Sequence, residues 1–393
     1  MQNFDAAIIG AGPAGCQCAR ELSREGKQVL LIEKAKSFAA NNFSSGGAPL
    51  AIMKEYQLPD DVVGVFWNKF AIHSSNSHHL WESPEKKGVV FDFMKLRSFM
   101  AEDAQNRGCQ LRLHTSYISH RTANNQAIVE LKDHKSGRTE SITAKVLVDA
   151  TGTERKVLAG SSYDTSKALE ATGIEYVIEA PPSIYERYAE TLSFFFGQKW
   201  MPHGYAWIFP MPNYQLKMGV IRYFPHEFLD SENTYKFYLS HLIESCLGTK
   251  DPHIIERHGK TLYYTYGQKD PRFFQNVVAI GDSISLLNPL ASEGIRHAMA
   301  SGRISACHIL GYLQSPEYDM SQYSRDIRQY CGFKWKVSEF LMKNIYHHSS
   351  DKKIDLFLKS VSHLSFDDLL RFGFDYQFLL SFKFYLHYLS HII

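Results

Sequence analysis

Residues 6–9 form a short apolar run that ends in glycines, a helical spacing of apolar positions follows to residue 24, and residues 29–32 form a second apolar run. Short apolar runs bounded by turn residues are buried strands, and a helical period between two of them makes a βαβ unit. The pattern then breaks. Residues 40–90, with Ser44-Ser45-Gly46-Gly47 and many polar positions, read as loop plus inserted elements, until 96–107 resumes a helical spacing. Residues 111–113, 127–131 and 146–150 read as strands that return the chain to the first sheet. A β-rich middle follows at 175–179, 192–196, 205–209 and 216–223, where aromatic and β-branched residues suit a pleated, half-buried surface. Residues 277–280 are again a buried strand and 292–310 a helix, and beyond about 315 the pattern is helical.

These elements predict an α/β fold with a discontinuous Rossmann-type domain over 1–55, 90–160 and 272–312, a mixed β-sheet domain over 56–89 and 161–271, and a C-terminal helical region over 313–393. The length of 393 residues and an apolar content of 44% support a substantial core. Lys plus Arg is 43 against 41 for Asp plus Glu, so no net field points to nucleic acid. Six scattered cysteines and an N-terminus that enters a strand at once predict a reduced, cytoplasmic compartment. No run approaches the ~20 apolar residues of a spanning helix, which leaves peripheral membrane contact open.

Gly10-Ala11-Gly12-Pro13-Ala14-Gly15 is a GxGxxG between a strand and a helix. Gly10 permits the tight turn, Gly12 lets backbone approach a pyrophosphate, Gly15 allows helix and strand to pack closely, and the helix N-terminus offers amides. Pro13 and Ala14 open that helix. Glu33, about 20 residues on, is placed to accept ribose hydroxyls, with Lys34 beside it. At this point FAD and NAD both remain possible. The second motif, 278–282 ending in Gly281-Asp282 and followed by Pro289, Glu293, Gly294 and Ile295, favours FAD. Asp282 at a strand end suits a ribityl chain, and the following helix directs its positive end at a ring carbonyl that becomes anionic on reduction.

With these motifs in place, the chain resembles the geranylgeranyl reductase family of flavoproteins, within the para-hydroxybenzoate hydroxylase-like group. The resemblance runs over nearly the whole chain. It rests on the Gly10–Gly15 fingerprint with Glu33, on Phe91 to Arg97, on Val148-Asp149-Ala150-Thr151-Gly152, on Tyr205-Ala206-Trp207-Ile208-Phe209-Pro210 with Gly219, and on Gly281-Asp282 through Ile295. It implies FAD as cofactor, and hydride transfer from reduced flavin to a carbon-carbon double bond of an isoprenoid or other apolar lipid. It also implies that Tyr205, Trp207 and Phe209 line an apolar tunnel, whereas strand aromatics can equally be core. The family's Cys-Gly-Gly over the flavin matches Ser44-Ser45-Gly46-Gly47 here, which makes Ser45 and Gly46 substrate-side candidates without the thiol. The arginine that relatives place ahead of the following helix corresponds to Phe93, leaving Lys95 or Arg97 to substitute. Tyr205 and Glu293 are the candidate proton donors, because an isolated alkene accepts hydride only with protonation.

Only one GxGxxG exists, so reducing equivalents come from a transient donor: NAD(P)H, ferredoxin or another flavoprotein. Alternatives within the fold group are an FAD monooxygenase or halogenase, since Trp207 and Pro210 resemble part of the halogenase Trp-x-Trp-x-Ile-Pro motif, a non-redox carotenoid-type cyclase, and a non-catalytic polyprenyl-binding flavoprotein. Cys16 and Cys18 lie two apart on a helix, face different ways and read as small buried residues. His203 reads as structural rather than proton-transferring, and His78 and His79 lack a third metal ligand at a suitable spacing, so no metal is expected. From Phe366 onward, Phe372, Phe374, Tyr376, Phe378, Phe382, Phe384, Tyr385 and Tyr388 interleave with Arg371, Lys383, His387 and His391. That suits either an amphipathic helix on a bilayer or one packed on the substrate domain.

Overall fold

The computed structural model describes residues 1–224, 234–315, 317–347 and 350–378. The chain divides into two compact units.

The first unit comprises Met1–Asn42, Phe93–Ala168 and Tyr263–Gly332. Its central sheet runs in the order Phe273–Phe274, Val277–Ala279, Thr139–Asp149, Gln2–Ile9, Val29–Ile32, Gln110–Arg112, parallel except at Phe273–Phe274. Thr139–Asp149 also pairs antiparallel with Gln126–Asp133, which pairs with Thr115–Ala123. Ala6, Ala7 and Ile8 are all fully buried, the reason this strand reads as a continuous apolar run. Helix Pro13–Arg24 crosses helix Ile295–Gln314 closely at Gly302, where an added Cβ would lie 2.4 Å from the Ala14 carbonyl oxygen. The second helix starts at Ile295 and not at 292. Ser292 has φ +51°, and the Asn288 amide donates to the Glu293 carbonyl at 2.9 Å, so residues 288–293 close as a loop before the helix begins.

The second unit comprises Phe43–Asp92, Leu169–Leu262 and residues from Phe333 onward. A seven-stranded mixed sheet has the order His253–Tyr264, Leu169–Glu179, Gln215–Tyr223, Gly204–Met211, Thr191–Phe196, Lys69–His73, His78–Glu82. Thr191–Phe196 and Lys69–His73 are its parallel neighbours. The inserted elements within 40–90 are mostly short strands: besides the two last strands of this sheet, Gly47–Pro49, Gly88–Phe91 and Val63–Trp67 form a small antiparallel sheet. Their three to five residues are too short for polar and apolar positions to set up a period.

Helix Thr234–Leu247 covers one face of the large sheet, packing Leu239, Leu242 and Ile243 on Ile178, Ala206, Ile208, Met218 and Val220. Side chains alternate across a strand, so Tyr205, Trp207, Phe209, Lys217 and Gly219 point to the opposite face. Helix Ser321–Met342 breaks at Gly332, with φ +53° and ψ −151°, and the division between units falls there. Helices Asp351–Val361 and Phe366–Gly373 complete the described chain. Phe366 and Phe374 pack on Trp67 and Tyr376 on Trp335, so the tail through Phe378 is folded into this unit. The remaining tail aromatics lie outside the described residues.

Candidate functional site

In the first unit the sheet, the first turn and two helix starts converge. The Gly10 amide donates to the Ile32 carbonyl and its φ is +109°; a Cβ there would sit 2.3 Å from the Ala150 oxygen. At Gly15 an added Cβ would lie 2.0 Å from the Gly10 oxygen, which is why strand and helix can touch. Gly12 differs: nothing lies within 4 Å of a Cβ built on it, and no side chain caps the helix that Pro13 and Ala14 begin. Its first amides are therefore available to an anion. Glu33 is buried and oriented from two sides, Oε2 accepting from the Ala11 amide at 3.2 Å and Oε1 from the Ala35 amide at 2.9 Å. Each oxygen keeps acceptor capacity for a hydroxyl. Lys34 points outward and pairs with Glu154.

Of the two candidate cations on helix Phe93–Asn106, Lys95 is exposed and Arg97 is buried. The Arg97 guanidinium donates to the Phe38 carbonyl, lies 4.7 Å from the Phe93 ring centroid, and feels the charge of Glu33. Arg97 is thus the inward-facing cation of this segment. Asp149, fully buried, ties the two motifs together: it accepts from the Thr151, Val157 and Leu158 amides and from Ser283 Oγ at 3.2 Å. Gly281, φ +65°, would bring a Cβ within 2.9 Å of Ala14 Cβ, so the second motif lies directly on the first helix turn. A Cβ on Gly294 would be 3.9 Å from Asp282 Oδ1. Pro289 is buried in the closed loop, and Ile295 opens the uncapped second helix. An open glycine turn, uncapped helix starts and a held acid fit a dinucleotide, so Gly10, Gly12, Gly15, Glu33, Gly281 and Asp282 are the residues that would hold FAD.

Glu293 does not suit the role of proton donor. It is buried, holds Arg296 through two hydrogen bonds of 2.8 and 2.9 Å, and lies 3.3 Å from His297 Nε2. Burial pushes its carboxyl up, but the neighbouring His297 and Arg296 outweigh this and hold it far below the usual carboxylate range. An ion-paired carboxylate has no proton to give at neutral pH. Cys16 and Cys18 are buried, and burial pushes the Cys18 thiol up to about 12.

The second unit carries the aromatic residues. Tyr205, Trp207 and Phe209 are 6%, 5% and 3% exposed. Tyr205 lies 5.9 Å from Trp207 and 5.8 Å from both Phe194 and Phe196, and Phe209 lies 5.2 Å from Phe194, between ring centroids. Tyr346 stacks on Tyr223 at 4.6 Å and stands 5.9 Å from Tyr205. His203 donates from Nδ1 to the Tyr346 carbonyl at 2.9 Å, a tie between segments. The Ser44–Gly47 turn reaches the same face: a Cβ on Gly47 would meet Phe209 at 3.1 Å, and Gly46 has φ +79°. Lys217, buried, donates to the Ser44 carbonyl at 2.7 Å and to those of Ser45 and Phe91 at 3.4 Å. Ser45, Gly46, Tyr205, Trp207 and Phe209 therefore belong to one cluster. Sequence reading missed Lys217 and Glu175, two buried charged residues on this face; the signal was a charge at an inward position of an otherwise apolar alternating strand.

The family described as FAD dependent oxidoreductase matches residues 5–173. Digeranylgeranylglycerophospholipid reductase 3 of Methanosphaera stadtmanae is 24% identical over 94% of this chain and 93% of its own. The digeranylgeranylglycerophospholipid reductase of Haloferax volcanii is 27% identical over 93% and 91%. The chain is an FAD-dependent oxidoreductase that is similar, over nearly its whole length, to these reductases. Its fold agrees with that of a geranylgeranyl bacteriochlorophyll reductase-like protein from Thermoplasma acidophilum, at a TM-score of 0.84 and 17% identity, covering 98% of this chain and all of that one. This FAD-dependent oxidoreductase thus combines the dinucleotide turn of its first unit with a sheet face of buried aromatics in its second.

Proposed function

We propose that this flavoprotein reduces carbon-carbon double bonds in the isoprenoid chain of a lipid or other apolar substrate. The observation that carries the reading is the aromatic face of Tyr205, Trp207, Phe209, Phe194 and Phe196, which offers an apolar chain ring surfaces and few hydrogen bonds. When bound, FAD supplies the hydride. The protein's own residues dock and dry the alkene and deliver the second hydrogen as a proton; Tyr205, at the centre of the face, carries that proton on its phenol oxygen, and Ser45 and Gly46 border it. Arg97, Glu33, Asp282 and the two helix starts bind and orient the cofactor. Electrons arrive from a transient donor, NAD(P)H, ferredoxin or another flavoprotein.

Peripheral membrane contact belongs to the same reading, since a polyprenyl lipid resides in a bilayer. No helix among the described residues is long and apolar enough to cross a membrane. In the second unit, Phe333 and Phe340 are 74% and 65% exposed, and Lys336 and Lys343 are exposed at helical spacing beside them. Aromatic and cationic residues on one exposed helix face suit an anionic lipid surface.

Reducing the purified holoprotein without oxygen and adding a geranylgeranyl lipid tests the function. The expected result is flavin reoxidation with a lipid mass gain of two hydrogens, slowed on the order of 100-fold in Tyr205→Phe. A flavin that stays reduced until air is admitted would overturn the reductase reading, and a Tyr205→Phe protein with full turnover would remove Tyr205 from proton delivery.

A further inference from the structure

The aromatic face contains a buried acid with no task in the reaction described above. Glu175 is 0% exposed, on strand Leu169–Glu179. Its Oε2 accepts from Trp207 Nε1–H at 2.9 Å, and its Oε1 is buried with no hydrogen-bond partner. Lys217, whose charge acts on it, directs its ammonium at the carbonyls of Ser44, Ser45 and Phe91. A carboxylate with one hydrogen bond and one bare oxygen in a dry site is costly, whereas a neutral carboxyl needs no counter-charge. Burial accordingly pushes Glu175 up.

The register explains why Trp207 reaches this acid. Gly219 is the Cα partner of both Glu175 on one neighbouring strand and Trp207 on the other, so the three residues form one row across three strands. The indole of Trp207 lies across the middle strand. At Gly219 an added Cβ would stand 2.1 Å from Cζ2 and 2.4 Å from Cε2 of that ring, so only glycine admits it. The indole therefore has a floor at Gly219 and a latch at its N–H.

We propose that Glu175 is a positioning residue: it holds the indole of Trp207 across Gly219 and thereby sets the shape of the face that receives the substrate chain. The proposal rests on the reading of this face as the substrate surface. It predicts that the latch acts through hydrogen-bond acceptance, and through substrate affinity more than through the chemical step.

The test uses FAD-loaded protein and three substitutions, Glu175→Gln, Glu175→Leu and Gly219→Ala, with Trp207→Phe as the spectroscopic reference. The near-ultraviolet circular dichroism of each protein, less that of its Trp207→Phe counterpart, reads the indole without any turnover. Glu175→Leu is expected to change this difference spectrum and raise KM for a geranylgeranyl lipid about tenfold, with kcat within about twofold. Glu175→Gln keeps a carbonyl acceptor, and is expected to restore both readouts to within about twofold of wild type. Gly219→Ala is expected to displace the ring, and serves where the leucine variant fails to fold. An unchanged spectrum in both Glu175→Leu and Gly219→Ala would overturn the proposal. So would a glutamine variant as impaired as the leucine one, which would mean the proton is used, or a changed spectrum with unchanged KM. If the wild-type holoprotein reduces no lipid, the proposed function fails, while the difference spectrum still decides whether Glu175 holds the ring.

Discussion

Gly10 and Glu293 show two ways in which a single position is decided. At Gly10 backbone geometry and space agree, since φ is +109° and a side chain would strike the Ala150 oxygen at 2.3 Å. Gly10→Ala is therefore expected to lose bound flavin and on the order of 2–3 kcal/mol of stability, read as absorbance of the purified protein at flavin wavelengths and as a lower Tm. Undiminished flavin content would contradict the role of this turn. For Glu293 the residue type alone admitted a proton donor. Arg296 and His297, one turn on, make it an anion, and that partnership lies in side-chain geometry, which one-dimensional spacing leaves open. The same holds for Arg97 against Lys95: both lie in the motif segment, and only the packing of Phe38 and Phe93 turns one inward.

At the scale of elements, strands with steady alternation or unbroken apolar runs were legible, and the strands between 47 and 91 were not. The hairpin of Lys69–His73 and His78–Glu82 illustrates why: it carries three histidines and a serine turn, a polar composition that reads as loop. Its fold is fixed by partners remote in sequence, among them Phe195, on which His73 stacks at 4.3 Å. Burial, with the charge of His78, lowers His73 from 6.5 to about 4. Between those values the unfolded chain takes up a proton that the folded one refuses, so stability falls as pH drops from about 6.5 to 4. The loss amounts to on the order of 3 kcal/mol. His73→Phe is expected to flatten that limb of a Tm-against-pH curve; an unchanged limb would show that His73 titrates freely.

Over the whole molecule, each unit draws its residues from three separated stretches of chain. The first motif at 10–15 and the second at 281–295 join one unit because Thr139–Asp149 and Val277–Ala279 extend the sheet begun by Gln2–Ile9. Membrane contact belongs to this scale as well. Phe333→Ser with Phe340→Ser is expected to weaken co-sedimentation with phosphatidylglycerol-containing vesicles about tenfold or more, without loss of flavin. Equal binding by the double variant would remove that helix face from the interface.

The sequence alone determined the nucleotide turn, the strands and helices with regular period, the flavin and the aromatic run. Those features are local: a GxGxxG, an apolar alternation or a Tyr-x-Trp-x-Phe-Pro run is written within a few consecutive residues, and backbone sterics and burial act on it directly. Tertiary structure decided which charges are paired and which are bare, placing Arg296 on Glu293, Lys217 on the Ser44 turn, and the Trp207 indole on Glu175. The first joins residues one helical turn apart through side-chain geometry, whereas the other two join residues 32 or more apart and depend on strand pairing and on desolvation that exists only once the sheet is covered.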